Sequence, residues 1–409
     1  MANGPWKTKN WFTSPSNFVT EVVNNQSFAP NIMIHDITLR DGEEQVGIAY
    51  TYEDRIKIAE SLANMGIPII ELGTLPAASK NDERAIKEII KRNLGIKTFA
   101  MTYAGDTTGI KIALDCGLDG VMVGASSSEY LIRDFEQLSL EEAVDQIGKS
   151  TALAHENGLH TILFLIDAGR AEVKWLLDFI DRVDSQGEID GLAIADSYGV
   201  LNPQGTGYLV RQIKKRFNKP VEIHCHNDFG LATANTLAAL ISGADVAHAS
   251  VLGTGARAGN TPLEDLVVSL LTLYNKSIKI DYGKLFKTAE LVSTLSGVRI
   301  PYNKPIVGNM LFKDDCERVG SFVRNFGTKK QLEGLFPYIP SLVGQPPVEV
   351  LLGKASGPDT IRIWLDKINR SANDTEVDLI VNEVILKAYD KKGVLSKEEF
   401  QNIVKKLLG

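Results

Sequence analysis

The sequence predicts an α/β protein: a (β/α)8 TIM barrel with an N-terminal arm and a helical C-terminal region. Three observations predict it. Apolar, β-branched runs alternate with runs of helical period from residue 30 to residue 280, and such alternation implies a parallel sheet. The count reaches eight strand–helix units, which in about 250 residues is the size of a closed barrel. Polar residues recur at the ends of the strands, where barrels carry their chemistry. An open doubly wound sheet is the structural alternative. The count of eight weighs against it, and no Gly-x-Gly-x-x-Gly follows the first strand.

Residues 1–29 form the arm, in which Trp6, Trp11 and Phe12 suit docking on the body and residues 16–25 suit a short helix. The predicted strands are 31–36, 67–73, 96–101, 120–123, 160–165, 191–195, 220–225 and 244–251. The helices between and after them are 53–64, 82–92, 108–116, one beginning after Ser139, 171–183, one beginning after Pro203, 231–242 and 263–274. Ser139 and Glu142, three residues apart, make a capping box, and Gly158 makes the stop. Pro203 suits a first helical turn. Residues 30–280 are therefore the barrel. Residues 281–409 change pattern: 284–297, 359–369, 374–389 and 396–408 read as helices, with Gly and Pro punctuation over 301–340.

A chain of 409 residues accommodates a barrel plus an appendage, and 44% hydrophobic with 23% charged residues is ordinary for a soluble globular protein. A net charge of -7 argues against general nucleic-acid binding. No apolar run is long enough for a membrane span, and the N-terminus lacks a signal-peptide core. Cys116, Cys225 and Cys316 are scattered and odd in number, which suits a reducing, cytoplasmic setting without disulfides.

The chemistry gathers around Val221–Asp228, where a β-branched lead-in runs into His224-Cys225-His226. On a strand, His224 and His226 share one face about 7 Å apart, and Cys225 points the other way into packing. A single His is more often a core residue than a ligand. His-x-His at a strand's C-terminal end, among only six His in the chain, favours a metal pair. The end of strand one, Asp36 to Gln45, carries four acids, Arg40 and an amide. A solvated turn would explain it blandly. Its place at the same barrel mouth makes it the source of a carboxylate ligand, with Arg40 beside it to clamp a carboxylate or stabilise an enolate oxygen. Two His, one Asp and open positions suit a divalent metal that binds a chelating oxygen substrate. The glycines of Gly253–Asn260 suit equally a tight turn or a phosphate site such as coenzyme A would need. His248 reads as core, His155 as solvated or capping, and Asp314, Asp315 and Glu317 as a surface turn.

Asp36-Ile37-Thr38-Leu39-Arg40-Asp41-Gly42, His224-Cys225-His226-Asn227-Asp228, Gly230-Leu231-Ala232 with Ala234-Asn235, and Gly253 to Asn260 together resemble the metal-dependent lyase and acyltransferase barrels. Those include 2-isopropylmalate, homocitrate and citramalate synthases, hydroxymethylglutaryl-CoA lyase and 4-hydroxy-2-oxovalerate aldolase. The resemblance covers roughly residues 30–275. Leu352-Gly353-Lys354-Ala355-Ser356-Gly357 further resembles a C-terminal motif of the condensing members.

The resemblance implies Asp41, His224, His226 and Asn260 as ligands of a divalent ion (Mg, Mn or Zn). It implies Arg40 as catalytic and Ser197 as substrate-binding; Glu44 is expected to be catalytic as well, and Gln45 and Arg257 to bind substrate. The substrates implied are a 2-oxo acid and an acyl-CoA, joined by Claisen condensation in a homodimeric acyltransferase of amino-acid biosynthesis. The alternative is carbon–carbon cleavage by an aldolase or lyase at the same metal. The chain departs from the condensing pattern at Glu44, where the family has Gln, and at Ile166 and Ala256, where it has Glu. It departs again at Cys316–Val319, which lacks the family's His. No room is expected after the barrel for the large regulatory domain of some isopropylmalate synthases.

Overall fold

The computed structural model describes residues 4–77, 79–328 and 331–409. They form two compact units, Pro15–Ile300 and Pro301–Gly409, the latter joined by the segment up to Ser14.

In the first unit eight strands close into a parallel barrel in chain order. They are β1 (Met33–Asp36), β2 (Ile69–Thr74), β3 (Lys97–Tyr103), β4 (Gly120–Ser126), β5 (His160–Ile166), β6 (Gly191–Asp196), β7 (Val221–Cys225) and β8 (Val246–Ala249). Closure is made by β1 on β8, with His35 opposite His248. The barrel helices are α1 (Tyr52–Met65), α2 (Lys80–Lys91), α3 (Thr107–Cys116), α4 (Leu140–Glu156), α5 (Val173–Gln186), α6 (Pro203–Arg216), α7 (Ala232–Ile241) and α8 (Leu263–Tyr274). A ninth, α9 (Leu285–Ser296), packs against α1 in the same unit. The fold is the expected TIM barrel.

Local chemistry explains the helix starts. The Ser139 hydroxyl accepts from the Glu142 N–H while the Glu142 carboxylate accepts from the Ser139 N–H, the reciprocal box expected there. Thr51 with Asp54 and Ser79 with Asp82 repeat the device at α1 and α2. Pro203 occupies the first turn of α6.

The barrel interior is packed, not hollow. Ile69, Phe99, Met101, Met122, Ile162, Phe164, Ala193 and Ala195 make one apolar cluster. Beside it lies a polar layer: Glu222 Oε2 accepts from His248 Nε2 at 2.7 Å and from His35 Nδ1 at 3.1 Å. His248 is thus a core residue, as the sequence suggested, and Cys225 is buried on the outward side.

In the second unit, residues 313–314 and 349–350 pair as a short parallel ladder. The helices are α10 (Glu317–Phe326), α11 (Pro358–Lys367), α12 (Asp374–Lys391) and α13 (Lys397–Leu408). Leu352, Ile361, Trp364, Val377, Ile380, Val384, Phe400 and Ile403 give it a core of its own. The N-terminal arm docks here: Phe12 N–H donates to Pro337 O, Ile339 N–H to Asn10 O, and Trp11 pairs with Tyr338. The surface-turn reading of Glu317 is corrected. Its carboxylate accepts from the Asp359 and Thr360 N–H groups and caps α11, whose first amides have no partner within the helix. Asp314 also works locally, accepting from the Cys316 N–H. His155 pairs with Glu188 at the α4 end.

Candidate metal centre and active site

Asp41 opens a tight turn just after β1, fixed by Gly42 N–H donating to Ile37 O. His224 lies on β7, its alternation turning it inward with Glu222 while Val221, Ile223 and Cys225 face the helices. His226 follows the strand and is bridged through the backbone to Asn260, and Asn227 N–H donates to Gly259 O. The two metal motifs of the sequence are therefore laced together by main chain.

Gly255 and Gly259 make this possible. A Cβ on Gly255 would fall 2.1 Å from Asn260 Nδ2 and 2.9 Å from Asp41 Oδ1, and one on Gly259 would meet Gly253 O at 2.0 Å. The glycines of this loop let the chain close over Asp41 and Asn260, which is the tight-turn reading.

Asp41, His224 and His226 converge. The two Nε2 atoms are 3.2 Å apart and stand 3.5 Å (His224) and 3.9 Å (His226) from Asp41 Oδ2. Asn260 Nδ2 donates to Asp41 Oδ1 at 2.7 Å. Burial depresses His224 well below its ordinary value, outweighing Asp41, and lowers His226 too. Both rings are held neutral, with lone pairs to give. Burial opposes ionisation of Asp41, but Arg40, then the two imidazoles, hold its carboxyl well below the usual carboxylate range. Asn260 Oδ1 is buried with no hydrogen-bond partner among the described residues. An ionised carboxylate, two neutral imidazoles and a free amide oxygen are a donor set that fits a divalent cation.

Arg40 is buried beside this group. Its Nη1 donates to Asp41 Oδ2 at 2.6 Å and its Nε to Glu71 Oε2 at 2.9 Å, while Nη2 has no partner among the described residues. Glu44 Oε1 stands 3.7 Å from Arg40 Nη1 and is half-exposed at the mouth. Burial, with Asp41 and Glu71 beside it, raises the Glu44 carboxyl to about 7 against the downward pull of Arg40.

These groups line a cavity of about 170 Å³ together with Met101, Tyr103, Phe164, Ile166, Ser197, Tyr198, Ala256 and Arg257. The structure thus brings Arg40, Asp41, Glu44, Ser197, His224, His226 and Arg257 into one space, with Asn260 bonded to Asp41. Gln45 is outside the lining; its amide oxygen accepts from the Gly255 N–H at 3.4 Å. Arg257 is already engaged: it makes two bonds to Asp228, donates to Ser197 O and lies over Tyr198. Sequence reasoning did not single out the apolar wall, nor Glu71 as the anchor of Arg40. Glu71 at the end of an apolar strand was the available signal.

Residues 31–292 match the HMGL-like family. The chain belongs to that family. Among relatives of this HMGL-like chain, a homocitrate synthase of Methanothermobacter thermautotrophicus is 31% identical over 98% of both chains. A 2-isopropylmalate synthase of Methanocaldococcus jannaschii is 30% identical over 97% of this chain and 76% of its own. A solved HMG-CoA lyase of Bacillus subtilis shares the fold, with a TM-score of 0.60 and 22% identity over 68% of this chain and 97% of its own. The HMGL-like chain is an enzyme of the acyltransferase type, as its curated relatives are.

Proposed function

We propose that this enzyme condenses acetyl-CoA with a 2-oxo acid in a Claisen reaction that releases CoA. Relatives named as homocitrate, 2-isopropylmalate and citramalate synthases support the reaction type. The observation that carries the reading is the convergence of Asp41, His224, His226 and Asn260 beside a buried Arg40 whose Nη2 is unused.

Asp41, His224, His226 and Asn260 would hold the divalent ion, Mg, Mn or Zn. Such an ion, when bound, polarises the keto group of a chelated 2-oxo acid. Arg40 Nη2, fixed in place by Asp41 and Glu71, donates to the oxygen on which negative charge grows as the carbon–carbon bond forms. Ser197 Oγ accepts from the Asp167 N–H at 2.9 Å, which leaves its own proton for the substrate carboxylate. Glu44 takes the proton from the acyl methyl group. The cavity lining holds two carboxylates, and Asp41 is committed to Arg40 and Asn260, so Glu44 is the one placed to titrate near neutrality. The enolate attacks the keto carbon, and water then cleaves the thioester to free the thiol.

Carbon–carbon cleavage is not favoured. The relatives that span the chain are synthases, whereas the solved HMG-CoA lyase extends over 68% of it. We further propose a homodimer, supported by Leu379, Leu386 and Tyr389 exposed along α12; a monomer mass in light scattering would overturn it. Among the described residues no helix is long and apolar enough to cross a membrane. Free Cys116, Cys225 and Cys316 fit the cytoplasm.

The test is thiol release with Mg, Mn or Zn, crossing acetyl-CoA with pyruvate, 2-oxobutyrate, 2-oxoisovalerate, 2-oxoglutarate and oxaloacetate. Metal-dependent release with one acid establishes the reaction. Silence across the panel in metal-loaded protein overturns it.

A further inference from the structure

The apolar part of the cavity has no role in binding the metal or in moving protons. Met101 and Tyr103 lie two apart on β3, and Phe164 and Ile166 two apart on β5, so each pair shares a strand face at the barrel mouth. Between them, on β4, stands Gly124. A Cβ there would lie 3.1 Å from Met101 Sδ, 3.3 Å from Tyr103 Cδ1 and 3.4 Å from Ile166 Cδ1. Those side chains fill the place a Gly124 side chain would take, and Met101, Tyr103, Phe164 and Ile166 stand together as an apolar wall of the space that Arg40, His224 and His226 line.

Charge in the cavity points the same way. The arginines lining it are Arg40 and Arg257: Arg40 is held by Asp41, Glu71 and Glu44, with its Nη2 left for the keto oxygen, and Arg257 is held by Asp228. A second carboxylate on the substrate would meet Glu44 and the apolar wall with no free cation opposite it. Burying an unpaired charge is strongly unfavourable. The volume of about 170 Å³ is also below the roughly 300–1,000 Å³ of pockets for drug-sized ligands.

We infer that the acceptor is a 2-oxo acid with a single carboxylate and a short apolar side chain, seated against the wall of Met101, Tyr103, Phe164 and Ile166, and that 2-oxo dicarboxylates are excluded. The inference rests on the mouth being a 2-oxo acid site and names which acid it takes.

The experiment measures binding and turnover separately on metal-loaded protein. Calorimetry ranks pyruvate, 2-oxobutyrate, 2-oxoisovalerate and 2-oxoglutarate without acetyl-CoA; thiol release ranks the same acids with it. At least one monocarboxylate should exceed 2-oxoglutarate by about 10²-fold in both. Gly124→Ala, whose Cβ would press Met101, Tyr103 and Ile166 toward the cavity, should lower kcat/KM for 2-oxoisovalerate about tenfold relative to pyruvate, in line with the 10–200-fold effect of one methylene. Ile166→Lys, which supplies a cation, should shift the ranking toward 2-oxoglutarate. Equal or tighter binding of 2-oxoglutarate by the unaltered protein overturns the inference, as does binding of none of the acids. The expected binding ranking without thiol release overturns condensation and leaves the acceptor assignment standing.

Discussion

The barrel holds two groups of two histidines and a carboxylate, and they are built to opposite ends. In the deeper one, His35 and His248 both point an N–H at a single oxygen of Glu222, so donors meet an acceptor, while His35 Nε2 and His248 Nδ1 have no partner among the described residues. Burial opposes ionisation of Glu222, but the two imidazole bonds hold it well below the usual range. In the upper one, two imidazole Nε2 atoms face each other across 3.2 Å, too far from Asp41 to bond it, with Asn260 Oδ1 and Arg40 Nη2 beside them unused. At most one proton can sit between the two rings. The same residue types make a piece of core in one place and a ligand site in the other. What separates them is whether the carboxylate is already bonded to both imidazoles, as Glu222 is and Asp41 is not.

The comparison can be broken in several ways. The largest effect is expected from Gly255→Ala, whose Cβ would collide with Asn260 and Asp41. Metal affinity and kcat should both fall by more than about 100-fold, beyond what losing an outer partner of a metal ligand costs. Elemental analysis and thiol release check it; a fully active, metal-loaded variant would show that the upper group is not the site.

Glu222→Ala should leave metal content unchanged but destabilise the protein by about 3–5 kcal/mol in urea unfolding, because it strands two buried imidazoles. A loss of bound metal would instead mean that the deeper group is a ligand site too.

Glu44 sharpens the account through pH. Its carboxyl, raised to about 7, is mostly protonated below that value and becomes a base above it. The kcat/KM should therefore rise with pH through an apparent pKa at or below 7, since a bound cation can only lower it. Glu44→Gln should remove that limb and most of the activity, and an unchanged profile would assign the base elsewhere. The smallest effect lies in the other unit: Glu317→Ala uncaps α11 and should cost about 1 kcal/mol of its stability by denaturant titration, with catalysis untouched.

The barrel was legible in the sequence because its code is local: strand and helix periods, Ser139 with Glu142, Pro203 and Gly158 each act within a few residues. The upper group was legible because His224, His226, Asp41 and Asn260 sit in compact motifs. Three features were not, each depending on packing between distant strands. Glu222 looked like one polar residue before His-x-His until β1 and β8 brought His35 and His248 to it. Arg257 looked free until Asp228 was seen to hold it. The apolar wall required β3 and β5 to meet across Gly124 on β4 before Met101, Tyr103, Phe164 and Ile166 stood together.

The most direct measurement is metal content and CoA release on the same chelator-stripped and reloaded sample, for the unaltered protein and His226→Ala. The account predicts one divalent ion per chain, thiol release that returns in proportion to bound metal, and loss of both in the variant. Thiol release that survives stripping, or that His226→Ala retains, would contradict it.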